Sequence, residues 1–323
     1  MFSLDLVDKG ILVELYANCR ATYRGLAKKQ GLTATSVKKR ITQLREVGFL
    51  SRPYVLLSLA MQDADYCLAD LTTDGTEQDE TYIDLIGMHP SVKVVVRKNP
   101  SQVAVLGEVV GPLGMFELGR FLRGLPFVEE VSISFIYPVT PSPLPSGSQY
   151  SYRGNKVTFT TPQLQVLRCL LEDARKPANE IANQVNLSAR RVRQVLQELQ
   201  RGGGLYFTIF TKMSAGGLIP FTLNIDYDET KATPYEVTKW VMEQSPFEYW
   251  NTFLYANRPA LWHFCTAKNL LAIEAITNKT KKAKFAKRVG AEIVRPQTFF
   301  VGPGHMRLAE LVGLQVANHR VEY

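Results

Sequence analysis

The chain has 323 residues, of which 46% are hydrophobic and 21% charged, with a formal net charge of +8. That content excludes a disulfide-stapled miniprotein, a disordered chain and a collagen-like repeat, and it can fill about two to four globular domains. No run of about 18 apolar residues occurs, and Met1 to Asp5 lacks the basic start and apolar stretch of a secretion signal, so the protein is expected to stay in the cytoplasm.

Along the chain, Leu4, Ile11, Leu12 and Leu15 give a helical apolar stripe, and a short second helix runs from about Tyr23 to Gln30. Gly31 breaks it. Thr33 is placed to cap a third helix on which Val37, Ile41 and Leu44 share one face, and Gly48 ends that helix. Helix, short helix, Gly-containing turn and longer helix make a helix-turn-helix over residues 1–52. Residues 53–139 alternate differently: a strand at Tyr54 to Ala60, a helix at Glu80 to Met88, a hairpin of Val92 to Val96 with Val103 to Val109, a helix at Met115 to Leu122 and a strand at Val131 to Tyr137. That is the βαββαβ order of a ferredoxin-like domain. The run Pro138-x-x-Pro-x-Pro-x-Pro145 and its Ser/Gly sequel mark residues 140–155 as an extended linker of roughly 50 Å at about 3.1 Å per residue.

The second half repeats the first. At an offset of 155, Leu26-Ala27 falls on Ile181-Ala182, Val37 on Val192, Ile41 on Leu196, Leu44 on Leu199 and Gly48 on Gly203. A second head is therefore expected over 156–217, capped by Ser188. A second βαββαβ unit with a C-terminal extension follows over 218–323: Phe221 to Tyr227, Tyr235 to Met242, Tyr249 to Tyr255, Leu261 to Ala267, a helix from about Leu270, and a last strand within Ala291 to Val301. The fold class is α+β, two winged helix-turn-helix domains alternating with two ferredoxin-like domains. The two sheets are expected to pack face against face, so that one chain forms an internal pseudo-dimer whose halves stay associated if cut near Ser146.

Charge follows the modules. Residues 1–50 hold nine Lys/Arg against four Asp/Glu and residues 156–203 eight against four, whereas residues 54–139 hold five against twelve. Two basic heads separated by an acidic unit favour a nucleic acid over a general anionic surface.

The run Leu4-Asp5-Leu6-Val7-Asp8-Lys9-Gly10-Ile11-Leu12, with Leu26-Ala27 and the Leu32 to Gly48 segment, resembles the N-terminal winged helix-turn-helix of the Lrp/AsnC transcription regulators. The order of domains covers nearly the whole chain twice. In the second half Thr160 and Gln163 stand where the first has acidic residues. The resemblance implies a regulator that binds double-stranded DNA, with both heads on one chain. On the third helix of each head, Thr35, Ser36, Lys38, Lys39 and Arg40, and then Arg190, Arg191, Arg193 and Gln194, lie on or beside the face turned from the core and are the expected base and phosphate contacts. Because the two sets differ, unlike half-sites are expected. Lys28 and Lys29 are further phosphate candidates.

The resemblance also places an effector where the ferredoxin-like domains meet, near the turns carrying Arg97, Lys98 and Asn99 and, in the second half, Asn257 and Arg258. The family's Gly-x-x-Asp pattern is missing there, and these side chains suit a small anionic metabolite. Paired AsnC-like modules also occur in siroheme decarboxylases, which stand as the enzyme alternative. Neither a catalytic residue nor a metal site nor a cofactor is expected. His263 and Cys265 share a strand face but two ligands make no metal site, and the acidic run Asp63 to Glu80 has no calcium-loop glycine. Cys19, Cys67, Cys169 and Cys265 are too far apart for a framework and read as buried thiols. The basic run Lys279 to Arg288 reads as a solvated face.

Overall fold

Each head is built by its caps. A computed structural model describes residues 3–75, 80–98, 100–144, 148–295 and 297–323. In the first head Asp5 starts α1 (Leu6–Ala17) by accepting from the Asp8 N–H, Thr22 starts α2 (Tyr23–Gln30) and Thr33 starts α3 (Ala34–Glu46). The second head repeats them as α7 (Thr161–Glu172), α8 (Ala178–Val185) and α9 (Ala189–Gly202), with Ser188 capping α9. The turn between the last two helices needs a left-handed residue in each head, and the sequence supplies Gly31 at φ 65° and Asn186 at φ 52°, one repeat apart.

Between the heads' helices lie the sheets. The first ferredoxin-like unit runs β2 (Asp65–Thr73), α5 (Glu80–Gly87), β3 (Val92–Arg97), β4 (Gln102–Val109), α6 (Gly111–Arg123), β5 (Val128–Pro138). The second runs β7 (Ile219–Tyr227), α10 (Pro234–Gln244), β8 (Tyr249–Tyr255), β9 (Ala260–Ala267), α11 (Leu270–Lys281), β10 (Ala286–Ile293). Antiparallel pairing joins them into one nine-stranded sheet in the order β10-β7-β9-β8-β5-β2-β4-β3-β11, where β11 is Thr298–Phe299. The chain is thus α+β, two helix-turn-helix heads and two ferredoxin-like units. The expected face-to-face packing is present: Tyr66, Leu68, Val94 and Leu106 share one buried cluster with Phe253, Ala260 and Trp262. The edge-to-edge joint of β5 to β8, with Ile136 opposite Tyr255, is an addition that no side-chain pattern signals, because backbone groups make it.

Two expected elements fall elsewhere. The strand expected at Tyr54 to Ala60 is β1 (Tyr54–Leu57) followed by a helical turn, α4 (Leu59–Gln62), and it pairs with β6 (Leu205–Thr208) of the second head instead of opening the ferredoxin-like sheet. All four β1 residues are buried, Val55 and Leu57 in the core of the heads and Tyr54 and Leu56 in the core of the sheets. The opening strand is β2, inside the acidic stretch, whose Tyr66 and Leu68 face one core while Cys67, Ala69 and Leu71 face another. The last strand of the second unit ends at Ile293, and β11 crosses to β3 of the first unit. Beyond it α12 (Gly302–Leu311) was not foreseen.

Of the linker, Pro145, Ser146 and Gly147 lie outside the described residues. Its described parts are packed, not extended: Leu144 is buried, Ser148 and Gln149 have no exposed surface, and Gly154 approaches so closely that a Cβ there would stand 2.3 Å from the Cβ of Ser58. Among the described residues no helix is long and apolar enough to cross a membrane.

Burial sets an acid limit. His263 donates its Nδ1–H to the Leu223 carbonyl at 3.1 Å and His305 on α12 donates to the Val55 carbonyl at 3.3 Å. Burial drives both pKa values down to about 4, against a value near 6.5 in the unfolded chain. Above pH 6.5 both states hold the rings neutral. As pH falls from 6.5 towards 4 the unfolded chain takes up the protons first, so stability falls by up to about 3 kcal/mol per histidine. Urea titrations at pH 7 and pH 5 should show a lower midpoint at pH 5, and H263Q with H305Q should flatten that difference.

Candidate nucleic-acid interface

The heads share a single hydrophobic core. Ile11, Leu12, Val37 and Leu44 of the first and Val166, Leu167, Val192 and Leu199 of the second belong to the same buried cluster, together with Trp250 and Leu308. Across it Arg20 donates to the carbonyls of Ala174 and Lys176 at 2.6 and 3.2 Å, and Arg175 donates to those of Cys19 and Ala21 at 2.9 and 3.4 Å. Adding the repeat offset to the first set gives the second, so this is a self-complementary contact inside one chain. Sequence reasoning missed it because Arg20 and Arg175 are ordinary turn charges until the turns meet; their coincidence at offset 155 was the available signal.

The first head is also seated on the second ferredoxin-like unit. Lys9, almost wholly buried on α1, donates to the carbonyls of Pro246, Phe247 and Tyr249 at 2.8, 2.8 and 2.5 Å, and its ammonium lies 4.8 Å from the centre of the Trp250 ring. Three carbonyls and a ring face give a buried cation what water would have given it.

The outward faces of α3 and α9 differ in how their side chains are held. Thr35, Lys38 and Lys39 are exposed on α3, as are Arg190, Arg193 and Gln194 on α9. Neither helix has an acidic residue in its first turn. Ser36 is half-buried, its hydroxyl 2.9 Å from that of Thr33 in the cap. Arg40 is tied to Asp5 at 2.8 Å and to Asp8 at 2.7 Å on α1. Burial pushes the Asp8 carboxyl upward against the pull of Arg40. Arg191 reaches Glu198 at 3.0 Å, which also takes a bond from Gln163 at 3.1 Å, and Arg193 donates to Asn179 at 3.3 Å. The first head therefore clamps α1 to α3 with Asp-Arg pairs, and the second clamps α7 to α9 with Gln163 and Glu198. Lys29 is held by Glu14 at 2.6 Å.

The turns named for an effector meet at a groove of about 530 Å³ between the halves, which Lys98 and Arg258 line. Both are matched by carboxylates from neighbouring strands: Lys98 by Asp70 at 2.8 Å and Glu292 at 3.1 Å, Arg258 by Asp226 at 3.7 Å. Arg97 pairs with Glu80 at 2.8 Å, and Asn257 lies in a neighbouring hollow with Arg258. Asn99 is outside the described residues. Reading the two turns alone concealed these acids, since they lie far away in sequence. Among the described residues no group of three or more His, Cys, Asp and Glu could hold a metal ion.

Residues 4–45 match the AsnC-type helix-turn-helix domain, and residues 161–203 match a winged helix-turn-helix DNA-binding domain. Both heads are winged helix-turn-helix modules. A search of curated protein sequences finds no match. Among solved structures, the siroheme decarboxylase NirDL superposes with a TM-score of 0.57 at 13% identity, covering 94% of this chain and 97% of that one. NirDL in complex with an iron-uroporphyrin III analogue gives 0.56 at 13% identity over 90% and 92%. The AsnC of E. coli gives 0.33 at 14% identity over 42% of this chain and 92% of its own. At 13% identity the NirDL likeness is one of fold, spanning both heads and both ferredoxin-like units.

Replacing Arg40 by Ala removes the guanidinium from the buried Asp8 and should cost about 1 to 3 kcal/mol of stability, whereas R190A at an exposed position should stay within about 0.5 kcal/mol. Urea denaturation of the two variants checks the contrast.

Proposed function

We propose that the protein is a DNA-binding transcription regulator of Lrp/AsnC type that reads a bipartite duplex site with two unlike heads. The observation that carries this reading is the pair of helix-turn-helix modules, each turning outward a helix whose first turn has exposed polar and basic groups and no carboxylate. Arg190 and Gln194 are the best placed for bidentate contacts to guanine and adenine, worth about 1 to 3 kcal/mol of discrimination each. Lys38 and Lys39 suit phosphates, with Thr35, Ser36, Arg191 and Arg193 at the margins. Arg40 acts through its clamp on α1.

A metabolite bound at Arg97, Lys98, Asn257 and Arg258 would have to displace the acids that already match those cations. An anion alone leaves those acids unpaired, so a ligand carrying an amine beside its carboxylate fits the groove better.

The second reading, an enzyme acting on a tetrapyrrole, is supported by the fold shared with the siroheme decarboxylase over 94% of the chain. The same groove weighs against it, since Arg288 as well as Arg258 is paired with Asp226, leaving the carboxylates of such a substrate to compete with the protein's own.

Selection of bound fragments from genomic DNA should return one bipartite site. R190A with Q194A should relax base preference in one half-site only, and K38A with K39A should weaken binding to all sequences while lowering the salt slope by about one per phosphate contact. Equal affinity for selected and scrambled duplexes would overturn the reading, as would a shifted absorbance band on titration with iron-uroporphyrin III.

A further inference from the structure

Each ferredoxin-like unit closes with a strand that has an open edge. Strand β10 ends the nine-stranded sheet, and β8 meets β5 only from Ile136 to Pro138, so among the described residues 128–134 and 286–292 have a strand on one side alone. The two edges are equivalent. Val131 stands opposite Leu71 and Val289 opposite Ile225, and the carbonyls of Phe127 and Phe285 accept from the N–H groups of Asp74 and Asp228 at 3.1 and 2.8 Å. Both edges carry a β-bulge at the same place. Glu130 and Val128 face successive residues of β2 and leave Glu129 extra, while Arg288 and Ala286 face successive residues of β7 and leave Lys287 extra.

Charge is inverted between the two bulges. Glu129, Glu130, Lys287 and Arg288 are all exposed. Neither glutamate has a basic partner among the described residues. Lys287 lies 3.8 Å from Asp228 and Arg288 2.5 Å from Asp226, yet their side chains remain 59% and 75% exposed. The inversion extends to the units: residues 54–139 hold five Lys/Arg against twelve Asp/Glu, and residues 218–293 hold ten against eight. Exposed Lys281, Lys282 and Lys284 lie just ahead of the second bulge. Bulges and charges on an edge discourage indiscriminate strand pairing, so a partner here is selected by its charges.

Glu130, Ser132, Arg288 and Gly290 line one groove, which places both edges on the same face of the molecule. No atom stands within 4 Å of where a Cβ on Gly290 would lie, so a second chain has room to approach. We propose that this face binds a second copy of the protein, with the Glu129-Glu130 bulge of each copy against the Lys287-Arg288 bulge of the other. Because one chain carries both signs on equivalent edges, a single two-fold rotation satisfies both contacts and closes the pair without open ends. A polyanion would be drawn to one edge and repelled by the other beside it. The contact does not depend on what the heads read.

Sedimentation velocity of the nuclease-treated full-length protein tests this. At micromolar concentration and about 50 mM salt it should sediment at twice the chain mass of 36.3 kDa, and at about 0.5 M salt the dimer should weaken at least tenfold as the charges are screened. E129K with E130K makes both edges basic, and K287E with R288E makes both acidic. Each double variant should run as a monomer at unchanged circular dichroism, and an equimolar mixture of the two should restore the species of twice the chain mass. If K287E with R288E fails to fold, K287E alone keeps the Arg288–Asp226 pair and serves in its place. A monomeric wild-type protein at low salt, a dimer indifferent to both double variants, variants that stay apart when mixed, or association only on adding duplex DNA would each overturn the proposal.

Discussion

The structure depends on two turns completing each other. In each half the turn after the first head helix leaves carbonyls pointing inward, at Cys19 and Ala21 and again at Ala174 and Lys176, and the arginine of the opposite turn satisfies them. A buried carbonyl without a donor is costly, so neither turn is complete alone. Once the turns are matched, the chain around them is placed. Strand β1 comes beside β6, the stripes of α1 and α7 close over one core, and the two sheets are brought to where β5 can pair with β8.

The pseudo-symmetry is kept in the backbone and relaxed in the side chains. Gly31 and Asn186, and Gly48 and Gly203, occupy matching left-handed positions. Yet the clamp between the first and third helices is acid on α1 in one head and acid on α9 in the other. Lys9 adds a further difference by fastening only the first head to the opposite sheet. A common origin for the halves is thus compatible with two faces of different chemistry, held at one separation by a shared interior. Movement of either head relative to its neighbour would open that interior, which separates this architecture from heads tethered by a flexible hinge.

Much of this was legible in the residues. Helical stripes, caps and the glycine turns located six head helices, because those signals act within a few positions. The strands that misled were those whose partners lie in the other half. Tyr54 to Leu57 is apolar enough to open any sheet, and its assignment is decided by β6, about 150 residues away. Asp65 to Thr73 looks solvated because Asp70 meets the groove and Asp65 pairs with Arg153, while the residues between them enter two cores. The candidate reading residues could be named from helical phase alone. The engagement of Arg40 and Lys98 could not, since Asp5, Asp70 and Glu292 are brought to them by tertiary contacts that no local spacing encodes.

The C-terminal crossing has a consequence in time. Strand β3 is the outer strand of the first unit until β11 covers it, and Asn318 then donates to the carbonyls of Gly87 and His89 just ahead of it and of Val92 at its start. About 200 residues separate the two strands, so at a synthesis rate of about 5 to 20 residues per second the first half spends roughly 10 to 40 seconds on the ribosome with a bare sheet edge. Such an edge pairs readily with other extended chains. Buried Lys93 in that strand, matched by Glu108 at 2.5 Å, places a charge within the edge during the interval and discourages strangers from docking there before the protein's own tail arrives.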